Sequence, residues 1–438
     1  MNNYYLLKKF LKYVSLNTIG MIGLSCYILA DTFFVSGALG SNGIAALNFS
    51  ISIYCIINGL GLMIGIGGAT KYSILKSKNE DESANSIFSN TVIIGFVLGI
   101  ILLTVGVFFA TPISKLLGAN GDTLTMTSDY LSTILCFSPF FIINNIMLAF
   151  IRNDKKPRLS MIAMLMGSFS NIVLDYVFMF PLSMGMFGAA FATGLAPIIS
   201  LCILSLHFIR KNNSFKFIKC KIDIYNILNI FGLGLSSFIT EVSSGIVLIL
   251  FNLVILEISG IVGVAAYGII ANVALVVTSI FTGIAQGIQP LLSEGYGNDD
   301  AKLIKTVLKY AIYLSIGLAT VIYVLTFILS RDIISIFNSE NNIELITIAN
   351  NGLRLYFIGF LFAGFNIITS AFLSSIEEMK SAFIISIMRG CIAIIPCLFI
   401  FKMILGINGV WLSFVFSEFI TTMVAILFFI KIFKSRQY

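Results

Sequence analysis

Long apolar runs follow one another along almost the whole chain, and they constrain its fold more than any other feature. A helix needs about 20 apolar residues to cross a bilayer, and the runs here have that length. Transmembrane strands would instead appear as alternating segments of about ten residues, so a β-barrel is excluded. Since 58% of the residues are hydrophobic and 11% are charged, the pattern predicts an all-α polytopic membrane protein.

The runs divide into twelve predicted transmembrane helices, which polar segments separate. No small-residue cleavage site precedes the first run, so we expect that span to remain in the mature protein. The spans lie near residues 13–37, 46–70, 88–111, 126–151, 159–180, 187–209, 227–255, 263–290, 306–330, 347–375, 380–402 and 408–430.

The basic residues are distributed unevenly among the predicted loops. Most of the 27 lysines and arginines fall on the side of the two termini, while Lys115, Arg331 and Lys402 fall on the other side. Because cytoplasmic loops are enriched in basic residues, we predict a multi-pass protein of the plasma (inner) membrane with both termini in the cytoplasm. The net charge of +7 is then a topology signal, and we expect no nucleic-acid partner.

An internal repeat divides the chain into two copies of six spans. A shift of 220 or 221 residues aligns small residues of corresponding spans: Gly40/Gly260, Gly43/Gly263, Ala45/Ala265, Ala46/Ala266, Gly67/Gly287, Ser73/Ser293, Gly185/Gly406 and Gly188/Gly409. An even number of spans per copy makes the repeat parallel, as in transporters with two lobes. We predict two pseudo-symmetric six-helix bundles around a central cleft: an N-terminal lobe at 1–209, a cytoplasmic linker at 210–226 and a C-terminal lobe at 227–438.

Composition excludes several kinds of catalytic and metal site. The chain has one histidine, His207, which we predict to lie at the membrane interface beside Arg210 and Lys211, and one histidine cannot build a His-based metal cluster or a catalytic triad. The cysteines other than Cys220 lie in apolar runs without a CxxC pair, which is typical of small buried residues. We therefore expect no catalytic residues and no cofactor other than a coupling ion.

Two acidic residues lie inside spans of the first half, where no basic residue is available to pair with them. Asp31 and Asp175 each precede the outer end of a span by six residues, so they share one depth. Asn171 lies one turn from Asp175 on the same helix face, and Thr193 on the sixth span returns to that depth. Carboxylate, amide and hydroxyl oxygens suit a hard cation, and buried carboxylates also hold protons, so the set predicts a site for Na⁺ or H⁺.

The spans of the second half have five charged residues in their interiors: Glu241, Lys309, Arg354, Arg389 and Glu418. Arg389 and Glu418 reach the middle of sequential spans, and we predict that they form a structural ion pair. Glu241 lies near the midplane on the seventh span. A role in lining a substrate cavity and a purely structural role are equally compatible with that position.

Several segments resemble signature segments of the multidrug and toxic compound extrusion (MATE) transporters. They are DTFFVSGALGSNGIAAL from Asp31, NIVLDYVFMFPLSMGMFGAAFAT from Asn171, GIAQGIQPLLSEGYGNDD from Gly283, ISIMRG from Ile385 and GVWLSFVFSE from Gly409. The most specific is Asn-x-x-x-Asp followed by Gly-x-x-Gly-Ala-Ala-x-Ala-Thr. The match runs nearly end to end.

The resemblance implies a twelve-helix antiporter that expels amphipathic, often cationic, compounds in exchange for sodium or protons, and we expect it to act as a monomer. In the family an acid on the first helix, an Asn and an Asp on the fifth and a Thr on the sixth form a cation site. Those positions here are Asp31, Asn171, Asp175 and Thr193, the same four residues that the depth argument selects.

The chain departs from the family pattern at two prolines and at one acid. Ser15-Leu16-Asn17 and Gly234-Leu235-Ser236 stand where members often carry proline, which puts a proline-kink mechanism in doubt. The tenth helix offers Arg354 rather than an acid, so a second ion site is not expected there. Two alternative functions stay open: a flippase for lipid-linked precursors, of related fold, and an intramembrane aspartyl protease built on Asp31 and Asp175.

Overall fold

The computed structural model describes residues 3–211, 213–219, 223–337 and 342–435, and within these ranges the chain forms helices and no strands. The helices are α1 (Asn3–Ser77), α2 (Asp81–Leu116), α3 (Gly121–Cys136), α4 (Ser138–Asn153), α5 (Pro157–Met179), α6 (Gly185–Ile209), α7 (Ile224–Gly297), α8 (Ala301–Ile328), α9 (Ser330–Phe337), α10 (Ile343–Tyr356), α11 (Phe360–Ser375), α12 (Met379–Ile387) and α13 (Ile394–Ser435). A 3₁₀ turn, Phe357–Gly359, joins α10 to α11, and a π-helical turn, Met388–Ile392, joins α12 to α13.

Each of the three longest helices is interrupted by one glycine. Gly40 in α1, Gly260 in α7 and Gly406 in α13 have φ angles of +62°, +60° and +58°. An L side chain rarely adopts this left-handed conformation, whereas glycine adopts it at no steric cost. These glycines are therefore the points where each helix changes direction.

Side-chain contacts show that the chain folds back on itself at these three glycines. The contacts join residues on opposite sides of each break: Tyr27 and Tyr54 hydroxyls at 2.6 Å, Phe251 and Tyr267 rings at 5.4 Å, and Phe401 and Phe416 rings at 4.5 Å. Each long helix therefore consists of two antiparallel helices, and each supplies two spans.

The described residues contain twelve apolar spans. Eight helical segments are long and apolar enough to cross a membrane, and a ninth consists of α3 and α4, which meet at an angle of 49°. Three of these nine fold back and so count twice. The prediction of twelve spans is confirmed.

The backbone supports the internal repeat. Gly40 and Gly260 share a φ near +60°, and Gly185 and Gly406, which the 221-residue shift pairs, both have φ of +58°. Gly43 and Gly263 also have matching surroundings, because a Cβ on either would touch the side chain four residues earlier, Leu39 or Ser259. Corresponding glycines therefore occupy corresponding positions in the two copies.

Packing divides the chain into two compact units, of Ser15–Val242 and of Met1–Val14 with Ser243–Tyr438. We call these the first and the second unit. Among the residues that the structure describes, the second unit has one apolar core, which includes the buried Trp411 and Phe281, and the first unit has two smaller cores. The predicted lobe limits stay a prediction, and these units differ from them at the starts of α1 and α7.

The starts of α1 and α7 pack with the opposite copy of the repeat. In the second unit Gly287 leaves no room for a Cβ against the backbone of Tyr13 and Val14, and Lys9 Nζ lies 2.7 Å from Glu294 Oε2. In the first unit Gly67 contacts the backbone of Ile230 in α7, and Gly234 contacts that of Met63. The two exchanges use equivalent positions, since Gly67 and Gly287 are a repeat pair.

Candidate functional site

The two predicted acids of the first unit lie toward the ends of helical segments. Asp31 precedes Gly40, the break in α1, by nine residues, and Asp175 lies four residues before Met179, where α5 ends. Asp31 is 7% exposed and Asp175 is fully buried. Their carboxylates lie within electrostatic range of each other.

Asn171 and Thr193 form a series of hydrogen bonds that ends at Asp175. The Asn171 amide, oriented so that both its ends find a partner, donates from Nδ2 to Asp175 Oδ2 at 3.0 Å. Its Oδ1 accepts from the Thr193 hydroxyl at 3.3 Å and from the Thr193 backbone N–H at 3.2 Å. The four predicted residues are therefore brought together, on α1, α5 and α6, and we call them the acid cluster.

The two carboxylates are not fully satisfied by the protein. Oδ1 of Asp31 and Oδ1 of Asp175 are both buried without a hydrogen-bond partner in the described part of the chain. No ion pair within those same residues involves either acid. A buried carboxylate oxygen without a donor is energetically costly, so both acids suit a cation or a proton.

Three tyrosines that the sequence argument missed extend the acid cluster. Tyr130 on α3 is buried and its hydroxyl is hydrogen-bonded with Thr193. Tyr27 lies one turn from Asp31 on α1, and its hydroxyl meets that of Tyr54 at 2.6 Å. The four-residue spacing could have indicated Tyr27, whereas no pattern in the sequence indicated the other two.

Glu241 on α7 is half-buried in the first unit and ends a series of hydrogen bonds that runs through two asparagine side chains. Asn58 Nδ2 donates to Glu241 Oε1 at 2.8 Å, and Asn145 Nδ2 donates to Asn58 Oδ1 at 3.0 Å. The carboxylate also lies within electrostatic range of Tyr27. Its surroundings supply a hydrogen bond, and no basic side chain pairs with Glu241 among the described residues.

The second unit contains a buried acid that, unlike the acids of the first unit, is paired with a basic residue. Arg389 Nε donates to Glu418 Oε1 at 2.7 Å, and Asn366 Nδ2 donates to Glu418 Oε2 at 2.7 Å. The Thr422 hydroxyl donates to Asn366 Oδ1 at 3.1 Å. Arg389 and Glu418, predicted to pair, are thus in direct contact, and their charges cancel.

Comparison with known proteins decides the family. The family model MatE matches residues 18–177 and 236–400, which together are well over half of the chain. The chain belongs to the MatE family. It is therefore a MATE transporter and not an enzyme, so the aspartyl protease alternative is excluded.

Curated relatives of this MATE transporter cover most of its length. "Multidrug export protein MepA" of Staphylococcus saprophyticus is 28% identical over 410 residues, which are 92% of this chain and 88% of the relative. The protein of the same name from Staphylococcus aureus is 27% identical over equal shares. The similarity therefore extends over both halves.

Solved structures share the fold. The outward-facing conformation of a multidrug resistance MATE family transporter of the MOP superfamily has a TM-score of 0.91 at 23% identity, and the match covers 100% of this chain and 99% of that one. A MATE structure in complex with MaL6 has a TM-score of 0.92 at 22% identity, with equal coverage. The predicted twelve-helix, two-lobe fold is thereby confirmed.

His207 has a protein partner that the sequence did not indicate. In the transporter this residue is 2% exposed, and its Nε2 lies 2.7 Å from Asp154 Oδ2. Asp154 also accepts hydrogen bonds from the backbone N–H and the hydroxyl of Ser214 in the linker. A buried carboxylate needs such donors, and the position of His207 at the membrane interface stays a prediction.

The linker that follows α6 is held on the first unit by an aromatic anchor. Phe215 is fully buried, and its ring packs against those of Tyr72, Phe88 and Phe150 at centroid distances of 6.0, 4.5 and 5.8 Å. The linker backbone also donates to side chains of α2, from Lys216 to Asn85 and from Ile218 to Ser89. The described linker residues are therefore part of the first unit.

Proposed function

We propose that this transporter is a secondary active antiporter that works as a monomer and exports amphipathic, cationic small molecules in exchange for Na⁺ or H⁺. The observation that carries the proposal is the acid cluster, in which Asp31 and Asp175 are buried close together without a basic partner in the described chain. Two relatives named as multidrug export proteins support a drug as cargo. Asp31, Asn171, Asp175 and Thr193 are the proposed ion-coupling residues.

The oxygens of the acid cluster suit either ion. Two carboxylates together with the Asn171 carbonyl and the Thr193 and Tyr130 hydroxyls make a set of hard ligands for a monovalent cation. A proton shared by Asp31 and Asp175 would remove their repulsion equally well. Both ions therefore act by neutralising the same pair.

Coupling follows from the cost of the uncompensated charge. An ion that enters from outside neutralises the acids, lowers the penalty for packing α1, α5 and α6 together, and so favours the state that releases the drug outward. When the ion leaves inward, the charged cluster favours the return. The ion and the drug then bias one equilibrium in opposite directions, which is what exchange requires.

Glu241 is the proposed electrostatic attractor for cargo. It lies in the first half of α7, before the break at Gly260, in the same unit as the acid cluster, and is hydrogen-bonded only to Asn58 among the described side chains. A carboxylate in a region of low dielectric attracts a cationic molecule strongly. We therefore place Glu241 in the substrate cavity.

The lipid-linked precursor flippase is the weaker candidate. A pyrophosphate group carries several negative charges and would need several cationic side chains that no other group contacts. Arg389 is paired with Glu418 through its Nε, and Arg354 and Lys309 lie over the rings of Phe327 and Tyr313 at 4.5 and 5.6 Å. These contacts favour a cation exporter.

Orientation in the membrane is a separate proposal, with both termini and the linker in the cytoplasm. Phe217 is exposed in the linker and does not take part in the aromatic anchor. We expect Phe217→Cys to react with an impermeant thiol reagent in inside-out vesicles and not in intact cells. Labelling from outside would reverse the orientation.

Gradient-driven transport in proteoliposomes tests the function. Purified transporter is reconstituted, and ethidium movement is followed under a Na⁺ gradient alone and under a pH gradient alone. We expect one of the two gradients to drive accumulation and the gradient-free vesicles to show none. Transport that ignores both gradients would refute ion exchange.

A further inference from the structure

Arg389 lies at a local change of helix type in the second unit. It belongs to the π-helical turn Met388–Ile392, which the hydrogen bond from the Ala393 N–H to the Met388 carbonyl closes at 2.9 Å. Such turns insert one extra residue, are rarely free of cost, and frequently mark functional sites. The turn directs the arginine toward Glu418 on α13.

Each carboxylate oxygen of Glu418 has a donor within the protein. One carboxylate oxygen accepts from Arg389 and the other from Asn366, both at 2.7 Å. Thr422 in turn fixes the Asn366 amide. The acid is 2% exposed in its side chain and is therefore a fixed support for the guanidinium.

Arg389 is satisfied on one side only. A guanidinium has five N–H donors, and only Nε of Arg389 donates to a partner within the part of the chain that the structure describes. The side chain is 15% exposed, and its terminal nitrogens are not among the buried atoms. Exposure of these donors to lipid would be costly, so the accessible edge faces water or a ligand.

We propose that the terminal edge of Arg389 is a carboxylate-binding subsite. A carboxylate matches two parallel N–H donors of a guanidinium, and Glu418 holds the plane of that guanidinium in place. Tyr356, which lies within electrostatic range of the pair and stacks on Phe414 at 4.2 Å, supplies an apolar wall that strengthens such a bond. The ligand class is an amphipathic amine that also carries a carboxylate.

The inference deepens the proposed function by assigning a residue that recognises an acidic group on the cargo. It rests on that function for the direction of transport only, because binding needs no ion gradient. Asp31, Asp175 and Glu241 are acids and repel a carboxylate, whereas Arg389 is a cation and is partly accessible.

Two dansyl amines that differ by one carboxylate test the subsite. Nε-dansyl-lysine and dansylcadaverine share the fluorophore, the linker and the amine, and only the first has a carboxylate. Binding of each is measured by fluorescence on the purified full chain in detergent at neutral pH. The quantity of interest is the ratio of the two dissociation constants.

Two variants change the subsite without leaving Glu418 unpaired. Arg389→Lys keeps a cation for Glu418 but loses the second edge, and the double variant R389Q/E418Q keeps hydrogen bonds but removes both charges. We expect the preference for the carboxylate-bearing dye to fall about tenfold in both variants, the size of a charge-assisted hydrogen bond. Thermal unfolding of each variant reports whether it is folded.

The outcomes separate the subsite from a structural role and from the proposed function. A ratio that falls in either folded variant supports the subsite. A ratio that stays at its wild-type value, even where both affinities fall, overturns it. Because the measurement uses no gradient, loss of ion-driven ethidium transport would refute the antiporter while leaving this ratio to decide the subsite.

Discussion

The two units treat buried charge in opposite ways. In the first unit Asp31 and Asp175 lie together, and each has a buried oxygen without a donor. In the second unit Glu418 receives both an arginine and an amide. Two copies of one repeat have thus diverged: one keeps an electrostatic penalty that an ion can relieve, and the other has removed it. We therefore propose that the first unit is the one that responds to the coupling ion.

The largest expected effect comes from neutralising the acid cluster. We expect Asp31→Asn and Asp175→Asn each to lower gradient-driven transport by at least about tenfold, because coupling energies of about 1–3 kcal/mol are lost. The double variant should transport no worse than either single variant, since loss of one acid already disables the acid cluster. Proteoliposome transport measures this.

The matched control is Asp129→Asn, an exposed acid next to Tyr130 on α3. It should transport like the wild type. Full ion-dependent transport by Asp175→Asn would end the proposal for the cluster.

Thr193→Ala distinguishes Na⁺ from H⁺ as the coupling ion, since sodium needs the hydroxyl as a ligand more than a proton does. A severe loss of gradient-driven transport in this variant would favour sodium.

The next largest effect is a loss of stability when the ion pair of the second unit is broken. Arg389→Met or Glu418→Met leaves one charge buried and should destabilise the protein by about 3–5 kcal/mol, while the double variant should be milder. Thermal unfolding in detergent measures the three variants against the wild type. Asp175→Asn should not lower stability. Equal stability of all these proteins would remove the contrast between the units.

A smaller effect tests whether the two copies are equivalent in their backbone. Gly40→Ala and Gly260→Ala should each cost about 1–2 kcal/mol, because a Cβ is unfavourable at left-handed φ. Gly317→Ala, at an exposed helical position of α8 with open space around it, should be neutral or stabilising. Costs that differ widely between Gly40 and Gly260 would show that the breaks are not equivalent.

The smallest expected effect concerns cargo charge. Glu241→Gln should reduce the efflux of monovalent cations about fivefold more than that of neutral dyes, since the hydrogen bond from Asn58 is retained and only the charge is lost. Glu257→Gln, an exposed acid on the same helix paired with Lys402, is the control. If both classes of cargo decline together, Glu241 is structural.

The level of a residue along its helix could be predicted from the sequence, but the direction in which its side chain points could not. The rise per residue placed Asp31 and Asp175 at one level, and helical spacing placed Asn171 beside Asp175. Arg389 and Glu418 followed from the same arithmetic. These contacts depend on distance along a helix, which the chain length between breaks determines.

Contacts between helices that are distant in the chain were not predictable. Whether Asn145 meets Asn58, or Tyr130 meets Thr193, depends on the rotation of each helix about its axis, which apolar runs do not specify. The partner of His207 was missed for the same reason, because Asp154 lies 53 positions earlier. The packing of the starts of α1 and α7 with the opposite copy of the repeat also leaves no periodic pattern in the sequence.

The exchange of helix starts has a consequence for the ancestry of the protein. Residues before Ser15 pack with the second copy, and residues 224–242 pack with the first, so neither copy of the repeat is complete by itself. Before the duplication, a six-helix ancestor with the same contacts would have had to lend its first turns to a sister molecule, as domain-swapped dimers do. Cutting the gene at the linker would recreate two such partners, each stable only in the presence of the other.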